Sequence, residues 1–387
     1  MIKKTIKETD LRKKQYIKEL LNKDIEDLKF CVLGAGHGGL AMAGHLGLMG
    51  FRVNLFNRGG NKIRPVQNRK EIKIEGEIHG IGKIEFASNN IKECLEEADI
   101  LMVVIPANGH KFIAHISAPY LREDHVVLLN PGRTGGALEF FHTLKEEGVK
   151  KIPFIAEAQT FLYASRAIGP AHAKIFSIKN SVPLATLPAY WIPGIVKIIN
   201  RAFPQFVPGD NIFKTSFDNI GAVFHPALTV LNASWIEDTH GDFEYYIQGA
   251  SHSVSKILER LDRERLEVAA ALGIKAMSAK NWLYIAYSAT GKDLLEAIQA
   301  NPGYLGIKAP DRIRHRYIDE DVPMSLVPIA SIGAMLKVNT PTINSIIHLA
   351  STMRGEDYWK IGRTVERLGL KGMSIKEIRL LAVSGEI

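Results

Sequence analysis

The sequence predicts an α/β chain in two parts: a doubly wound parallel sheet at the N-terminal end and a mainly α-helical domain after it. Three observations carry that prediction. Between Lys29 and about Pro188, short β-branched runs alternate with helical stretches, the pattern of βαβ units and a parallel sheet. Runs such as LMVVI and VVLL are apolar throughout, as strands covered on both faces are. Beyond about Lys214 strands nearly vanish, and apolar residues recur at spacings of three and four, as at Val254, Ile257, Leu258 and Leu261.

Taken in order, residues 3–27 alternate charges with Ile6, Leu11, Ile17, Leu20, Leu21 and Ile25, which predicts an amphipathic helical extension over 1–28. Its expected role is packing or a homodimer contact. KFCVLG then reads as a strand, AMAGHLGLMG as a helix, FRVNLFN as a strand, IKECLEEA as a helix, and DILMVVIPA and HVVLLNPG as strands. Pro188, Pro193, Pro204 and Pro208, with aromatic residues between them, read as the crossing between domains. The expected first domain is therefore 29–210 and the second 211–387. Within the second, Thr340-Pro341 predicts a helix start, with Thr as N-cap and Pro at the first helical position.

The composition excludes several classes. At 387 residues the chain suits two domains, and 46% hydrophobic with 23% charged residues is ordinary for a soluble globular enzyme. No apolar run approaches the roughly 20 residues that span a membrane. The basic start lacks the apolar core of a secretory signal, and Cys31 and Cys94 lie among apolar residues, as buried free thiols do. These readings together predict a cytoplasmic protein. The net charge of +8 is spread among acids rather than gathered on one helix, so nucleic acid is not the expected partner. No metal site is expected.

KFCVLGAGHGGLAMAGHL carries Gly34-x-Gly36-x-x-Gly39 between a strand and a helix. In the Rossmann arrangement the first glycine permits the tight turn, the second admits a pyrophosphate against the backbone, and the third lets helix pack on strand. Gly34, Gly36, His37, Gly38 and Gly39 are thus the candidate dinucleotide cradle. A carboxylate ending the second strand would bind a free adenosine ribose. This chain has FNRGGNKIR there, so Asn57 and Arg58, with Lys62 or Arg64 behind, predict NADP(H) in preference to NAD(H), which stays open. The loops IPANGH and NPGRTGG follow the next strands. Pro106, Ala107 and Gly132 are expected to wall the nicotinamide side, and Gly132 and Gly135 to give close backbone approach.

In FHPALTVLN, His225 precedes Pro226. That order predicts an extended His225 at a helix entrance, Pro226 in the first turn, and an inner face of Leu228, Leu231 and Trp235. Asn232, seven residues on, is expected to face the same side and bind substrate.

IPANGHKFIAHISAPYLREDHVVLLNPGRTGGALEF, FHPALTVLN, LDRERLEVAAALGI, RYIDEDVPMSLVP and GRTVERLGL, in that order, resemble the opine dehydrogenases of the octopine/nopaline type. The resemblance runs from about Phe30 to the C-terminus. It implies NAD(P)H-dependent reductive condensation of an amino acid with an α-keto acid, and a cleft between a Rossmann domain and a helical substrate domain. It further implies that His225 is the catalytic histidine, Asp321 its supporting carboxylate and Arg316 a substrate-facing arginine, with Arg312 and Arg314 as alternatives. The acid typical of NAD-using members at the second strand is absent. Two other readings compete: a reductase of a simple 2-keto or 2-hydroxy acid resembling ketopantoate reductase or 6-phosphogluconate dehydrogenase, and a non-catalytic NADPH sensor. The first should carry a catalytic lysine on the helix that here carries His225.

Overall fold

In the computed structural model, residues 2–385 are described, with side chains from Glu8 onward, so Ile6 lies outside the described side chains. The chain forms two compact units, one comprising Met1–Gly132, Gly136–Thr215 and Leu380–Ile387, the other Arg133–Gly135 and Ser216–Arg379. The change between them at Thr215/Ser216 falls five residues beyond the expected 210, and neither unit is continuous in sequence.

The strands of the first unit are, in chain order, β1 (Lys29–Leu33), β2 (Arg52–Phe56), β3 (Glu71–Gly76), β4 (Gly80–Lys83), β5 (Phe86–Ser88), β6 (Ile100–Val103), β7 (Val126–Leu129), β8 (Phe154–Ala158), β9 (Tyr163–Gly169), β10 (His172–Ile178), β11 (Val182–Leu187) and β12 (Phe206–Pro208). Eight of them form one sheet in the order β12-β11-β8-β7-β6-β1-β2-β5. From β5 to β8 all pairs are parallel, with the strand order of a doubly wound dinucleotide-binding sheet. Every residue of β1, β6, β7 and β8 is buried, which explains the unbroken apolar runs of β6 and β7; β1 begins with Lys29 and β8 carries Glu157.

Three features depart from the expectation. The sheet is mixed, because β11 runs antiparallel to β8. The proline-rich stretch after Pro188 is no crossing: it forms the helix Ile192–Ile199 and β12, both within the first unit. A second sheet, β4-β3-β10-β9, was not expected at all. It packs on helix α2 (His37–Leu48), where the glycines leave the needed room: a Cβ on Gly44 would lie 2.5 Å from Ile74, and one on Gly47 would lie 2.2 Å from the Lys83 carbonyl.

The N-terminal helix α1 (Ile2–Asn22) packs on the helix Ile192–Ile199 of its own unit. Leu20 is buried, Ile17 sits against Gly194, and Tyr190 Oη donates to Asp10 Oδ1 at 2.9 Å. Leu11 and Ile25 remain exposed, so the apolar stripe is only partly covered.

The second unit is helical, and among its described residues the only strand-like pairing is one bridge between Glu244 and Lys308. LDRERLEVAAALGI forms about the last three turns of the helix His252–Ala271 and its C-terminal cap, and polar residues of this helix act as buried ties. Arg265 donates to Asp262 Oδ1 at 2.6 Å and to the Met277 carbonyl. The Glu264 carboxylate accepts from the backbone amides of Thr342 and Ile343, each at 3.0 Å. It thereby closes the first turn of the helix Pro341–Arg354, which begins at Thr340-Pro341 as its sequence predicts. Among the described residues, no helix is long and apolar enough to cross a membrane.

Candidate active site

In the first unit, the glycines after β1 meet three different spatial demands. Gly34 has φ +120°, and a Cβ there would lie 2.5 Å from the Val104 carbonyl at the end of β6. Gly39 packs so closely that a Cβ would stand 1.7 Å from the Gly34 carbonyl oxygen. Gly36 is the opposite case, with nothing within 4 Å of the place a Cβ would take. It is also the N-cap of α2, and no side chain caps that helix. Open space over an uncapped helix start, where amide N–H groups and the dipole favour an anion, fits a dinucleotide diphosphate.

The surrounding candidates divide. Asn57 is a tie between loops: its Oδ1 accepts from the Ala35 amide at 3.1 Å and its Nδ2 donates to the Gly59 carbonyl at 2.8 Å. Arg58 is exposed, with its guanidinium 5.3 Å from the Phe112 ring centre. Lys62 and Arg64 are also exposed. The His37 ring is held by the second sheet, its Nδ1 accepting from the Ala167 amide at 2.9 Å. Burial, then the nearby Arg166 and Lys62, lowers its pKa and favours the neutral ring. Of the residues expected to wall the nicotinamide side, Pro106 is exposed and Ala107 is fully buried. Gly132 is buried too: its amide donates to the Ala158 carbonyl at 3.1 Å, and a Cβ would strike Glu157. Its close approach is to protein, not to open space.

In the second unit, His225 lies inside the helix Gly221–Leu231 rather than at its entrance. The helix begins one turn earlier, with short bonds from the Ala222 and Val223 amides to Asn219 and Ile220, so Pro226 falls in the helix interior. Leu228 is buried as expected, but Trp235 belongs to the next helix, Ala233–Thr239, and stacks on Phe243 at 4.0 Å.

The imidazole is held on two sides. Nδ1 lies 2.8 Å from Asp321 Oδ2, and the ring stacks on Tyr317 with centres 4.1 Å apart. Nε2 has no hydrogen-bond partner among the described residues, and the side chain retains 18% of its exposure. Asp321 is 0% exposed. Burial alone would push its carboxyl up, but Arg133, His225 and Arg316 outweigh burial and hold it at about 2. An ionised Asp321 can only accept, so Nδ1 carries the proton, and in the neutral ring Nε2 is the nitrogen that can accept one.

The three acids of RYIDED have different partners. Asp319 accepts from Arg354 Nε at 3.0 Å and Tyr358 Oη at 2.7 Å. Glu320 lies between Arg133 at 3.3 Å and Arg316 at 3.1 Å. Asp321 alone reaches His225. Arg316 is 55% exposed and pairs with Glu320 through Nε at 3.1 Å. Arg312 pairs with Asp311 in solvent, both more than half exposed. Asn232 does not project along the His225 face: it ends the helix and donates to the carbonyls of Leu228 and Gly249 at 2.8 and 3.0 Å.

Sequence reasoning missed two neighbours. Tyr317 stands beside Arg316, but no spacing rule singles it out as a platform for the imidazole. Arg133 lies in NPGRTGG, a loop read only for its glycines. Its guanidinium is 3.2 Å from Asp321 Oδ1, and its backbone adopts φ +59°. The GRTVERLGL segment supports that loop: buried Arg363 donates to the Thr134 carbonyl at 3.1 Å, and Leu368 lies beneath Gly135.

Comparison with known proteins gives consistent matches. Residues 208–354 match the NAD/NADP octopine/nopaline dehydrogenase alpha-helical domain, and residues 29–153 the NAD-dependent glycerol-3-phosphate dehydrogenase N-terminus. An opine dehydrogenase of Arthrobacter sp. (strain 1C) is 35% identical over 356 residues, 92% of this chain and 99% of that protein. Protein ocs of Agrobacterium tumefaciens (strain Ach5) is 24% identical, covering 90% of this chain and 98% of its own length. Among solved structures, octopine dehydrogenase with NADH and L-arginine superposes with a TM-score of 0.76 at 17% identity, over 93% of this chain and 98% of that one. NADP+-bound yersinopine dehydrogenase gives 0.67 at 15% identity, over 92% and 97%. At these identities the two structures speak for the fold.

Proposed function

Because this chain belongs to the opine dehydrogenase family, an NAD(P)-dependent group of oxidoreductases, we propose that His225 and Asp321 carry its proton transfers, with Arg316 receiving a substrate carboxylate and NADPH as the preferred reductant. The reaction is the reductive condensation of an amino acid with an α-keto acid to an N-(carboxyalkyl)amino acid. The observation that carries the residue assignment is the 2.8 Å contact of His225 Nδ1 with a fully buried carboxylate, which leaves Nε2 to face the reactants.

The amine adds to the keto carbon to give a carbinolamine, whose hydroxyl must leave as water before the C=N carbon can be reduced. His225, protonated on Nε2, donates to that hydroxyl as the C–O bond breaks. Asp321 stabilises the imidazolium and fixes its orientation, as carboxylates do in catalytic triads. In the reverse direction neutral Nε2 takes the proton back from water as it adds. A bound dinucleotide would supply the hydride. Gly36, His37, Gly38 and Gly39 would hold its diphosphate through backbone amides at the start of α2, while Gly34, whose amide donates to the Phe56 carbonyl at 2.8 Å, would shape the turn beneath it. Arg316 offers a planar, partly open guanidinium suited to a carboxylate.

Asn57 in place of a carboxylate, with exposed Arg58 and Lys62 beyond it, supports the NADPH preference. Two buried free thiols suit a reducing compartment, which supports placement in the cytoplasm. Exposed Leu11 on α1 supports a homodimer contact through that helix. A grid of α-keto acids, each with and without amino acids, assayed by oxidation of NADPH and of NADH, tests the function. Turnover only when both substrates are present is expected. Turnover with keto acid alone would instead mean a simple keto-acid reductase. In the same assay Arg58→Ala should raise KM for NADPH about tenfold and barely change that for NADH; equal effects would remove the 2′-phosphate contact.

A further inference from the structure

The cluster around His225 extends beyond a histidine–carboxylate pair. Arg316, Glu320, Arg133, Asp321 and His225 form a chain of alternating charge, with Arg316 exposed at one end and the imidazole partly exposed at the other. Its centre is dry: Glu320 is 2% exposed, Asp321 0% and the Arg133 side chain 9%. Two neighbouring buried carboxylates repel each other strongly unless a cation stands between them. Arg133 is that cation, reaching Glu320 Oε1 with Nε and Asp321 Oδ1 with Nη1. Gly221 makes the approach possible, since a Cβ there would lie 2.8 Å from Arg133 Nη1 and 3.2 Å from His225 Cε1. The guanidinium and the imidazole are therefore within about 6 Å of each other, close enough for charge to act directly.

We propose that Arg133 is a positioning residue for the reaction: by holding the Asp321 carboxylate and opposing a second positive charge nearby, it sets the pH at which His225 donates its proton. The inference rests on His225 being the proton donor. The charged and titratable groups that face the imidazole are Asp321 and Arg133, the stacked Tyr317, and, further off, His315, Arg316 and Glu320. Of these, Arg133 and Glu320 exert opposite influences. Loss of the Arg133 charge favours the imidazolium. Loss of the Glu320 charge disfavours it and also leaves Arg133 to Asp321 alone.

That opposition gives the test. In the condensing direction activity falls as pH rises, because the proton that His225 is to donate is lost. Arg133→Met should move this alkaline limb of kcat/KM upward by about 1 pH unit, and Glu320→Gln should move it downward. Arg133→Lys should return the limb most of the way to its wild-type position, since the charge is kept while the forked geometry is lost. NADPH affinity and melting temperature are measured alongside. A drop in kcat with the limb unmoved in both Arg133→Met and Glu320→Gln would make Arg133 a structural residue only and overturn the proposal. Movement of both limbs in one direction would overturn it as well. If Arg133→Met does not fold, the Lys and Gln variants carry the comparison. Substantial turnover by His225→Ala would show that the underlying reading has failed, whereas an inactive His225→Ala with unmoved limbs in the other variants would refute only the role of Arg133.

Discussion

Asp319, Glu320 and Asp321 carry the same charge in consecutive positions, yet Asp319 pairs with Arg354, Glu320 and Asp321 share Arg133, and only Asp321 touches an imidazole. Position decides this, not chemistry. The helical turn Arg316–Asp319 ends there and a π-turn, Val322–Leu326, begins, so neighbouring side chains leave the backbone in different directions. His225→Ala and Asp321→Ala are each expected to lower kcat by at least ~100-fold while leaving NADPH affinity unchanged, checked by steady-state kinetics and fluorescence titration. Near-normal turnover in either variant would remove that residue from the proton path. The histidine and the acidic run were legible as motifs. Spacing alone did not say which acid pairs with the ring, because that depends on a helix irregularity no spacing rule encodes; the family resemblance named Asp321, the acid that reaches it. Arg133 was illegible for another reason: its partners Asn219, Glu320 and Asp321 lie 86 to 188 residues away, and its loop invites a reading in terms of glycine alone.

Elements were read best where periodicity is simple. The apolar strands of the parallel sheet and the long helices of the second unit appear as expected. The second sheet was legible in principle, since EIKIEG and HAKIFSI alternate polar and apolar residues, with Ile72, Ile74, Ala173 and Ile175 buried. Short alternating runs between stronger signals were passed over. Pro226 misled because proline most often marks a first turn, whereas here the helix had already started at Gly221. Glu264 shows a helix start secured from another element. Glu264→Ala would leave two amide groups of the helix Pro341–Arg354 without their acceptor, at a cost of about 1–3 kcal/mol. Calorimetry should show a lowered melting temperature, with a smaller drop for Glu264→Gln; no drop for Ala would mean the amides find other acceptors.

At the scale of the whole chain, the two-part plan was readable because strand-forming and helix-forming patterns occupy different stretches. The location of the change was less so, since the prolines that suggested a linker lie within a helix and around a strand of the first unit. Both units contain a carboxyl held at about 2: Glu85, through Arg52 and Lys29, and Asp321, through Arg133 and His225 against the opposing effect of burial. Such groups add stability above their unfolded values near ~4, and that stability is lost as pH falls through the folded values. The helical circular dichroism signal should therefore hold at about pH 5 and decline between about pH 4 and about pH 2. A transition complete by pH 5 would assign acid sensitivity to other groups. The interleaving of the units reaches beyond the folded molecule. Since Arg133–Gly135 belongs with the later helices and Leu380–Ile387 with the early strands, no single recombination breakpoint in a gene can exchange one unit whole. Descent of the helical unit with its own Arg133 requires the two parts to be inherited together.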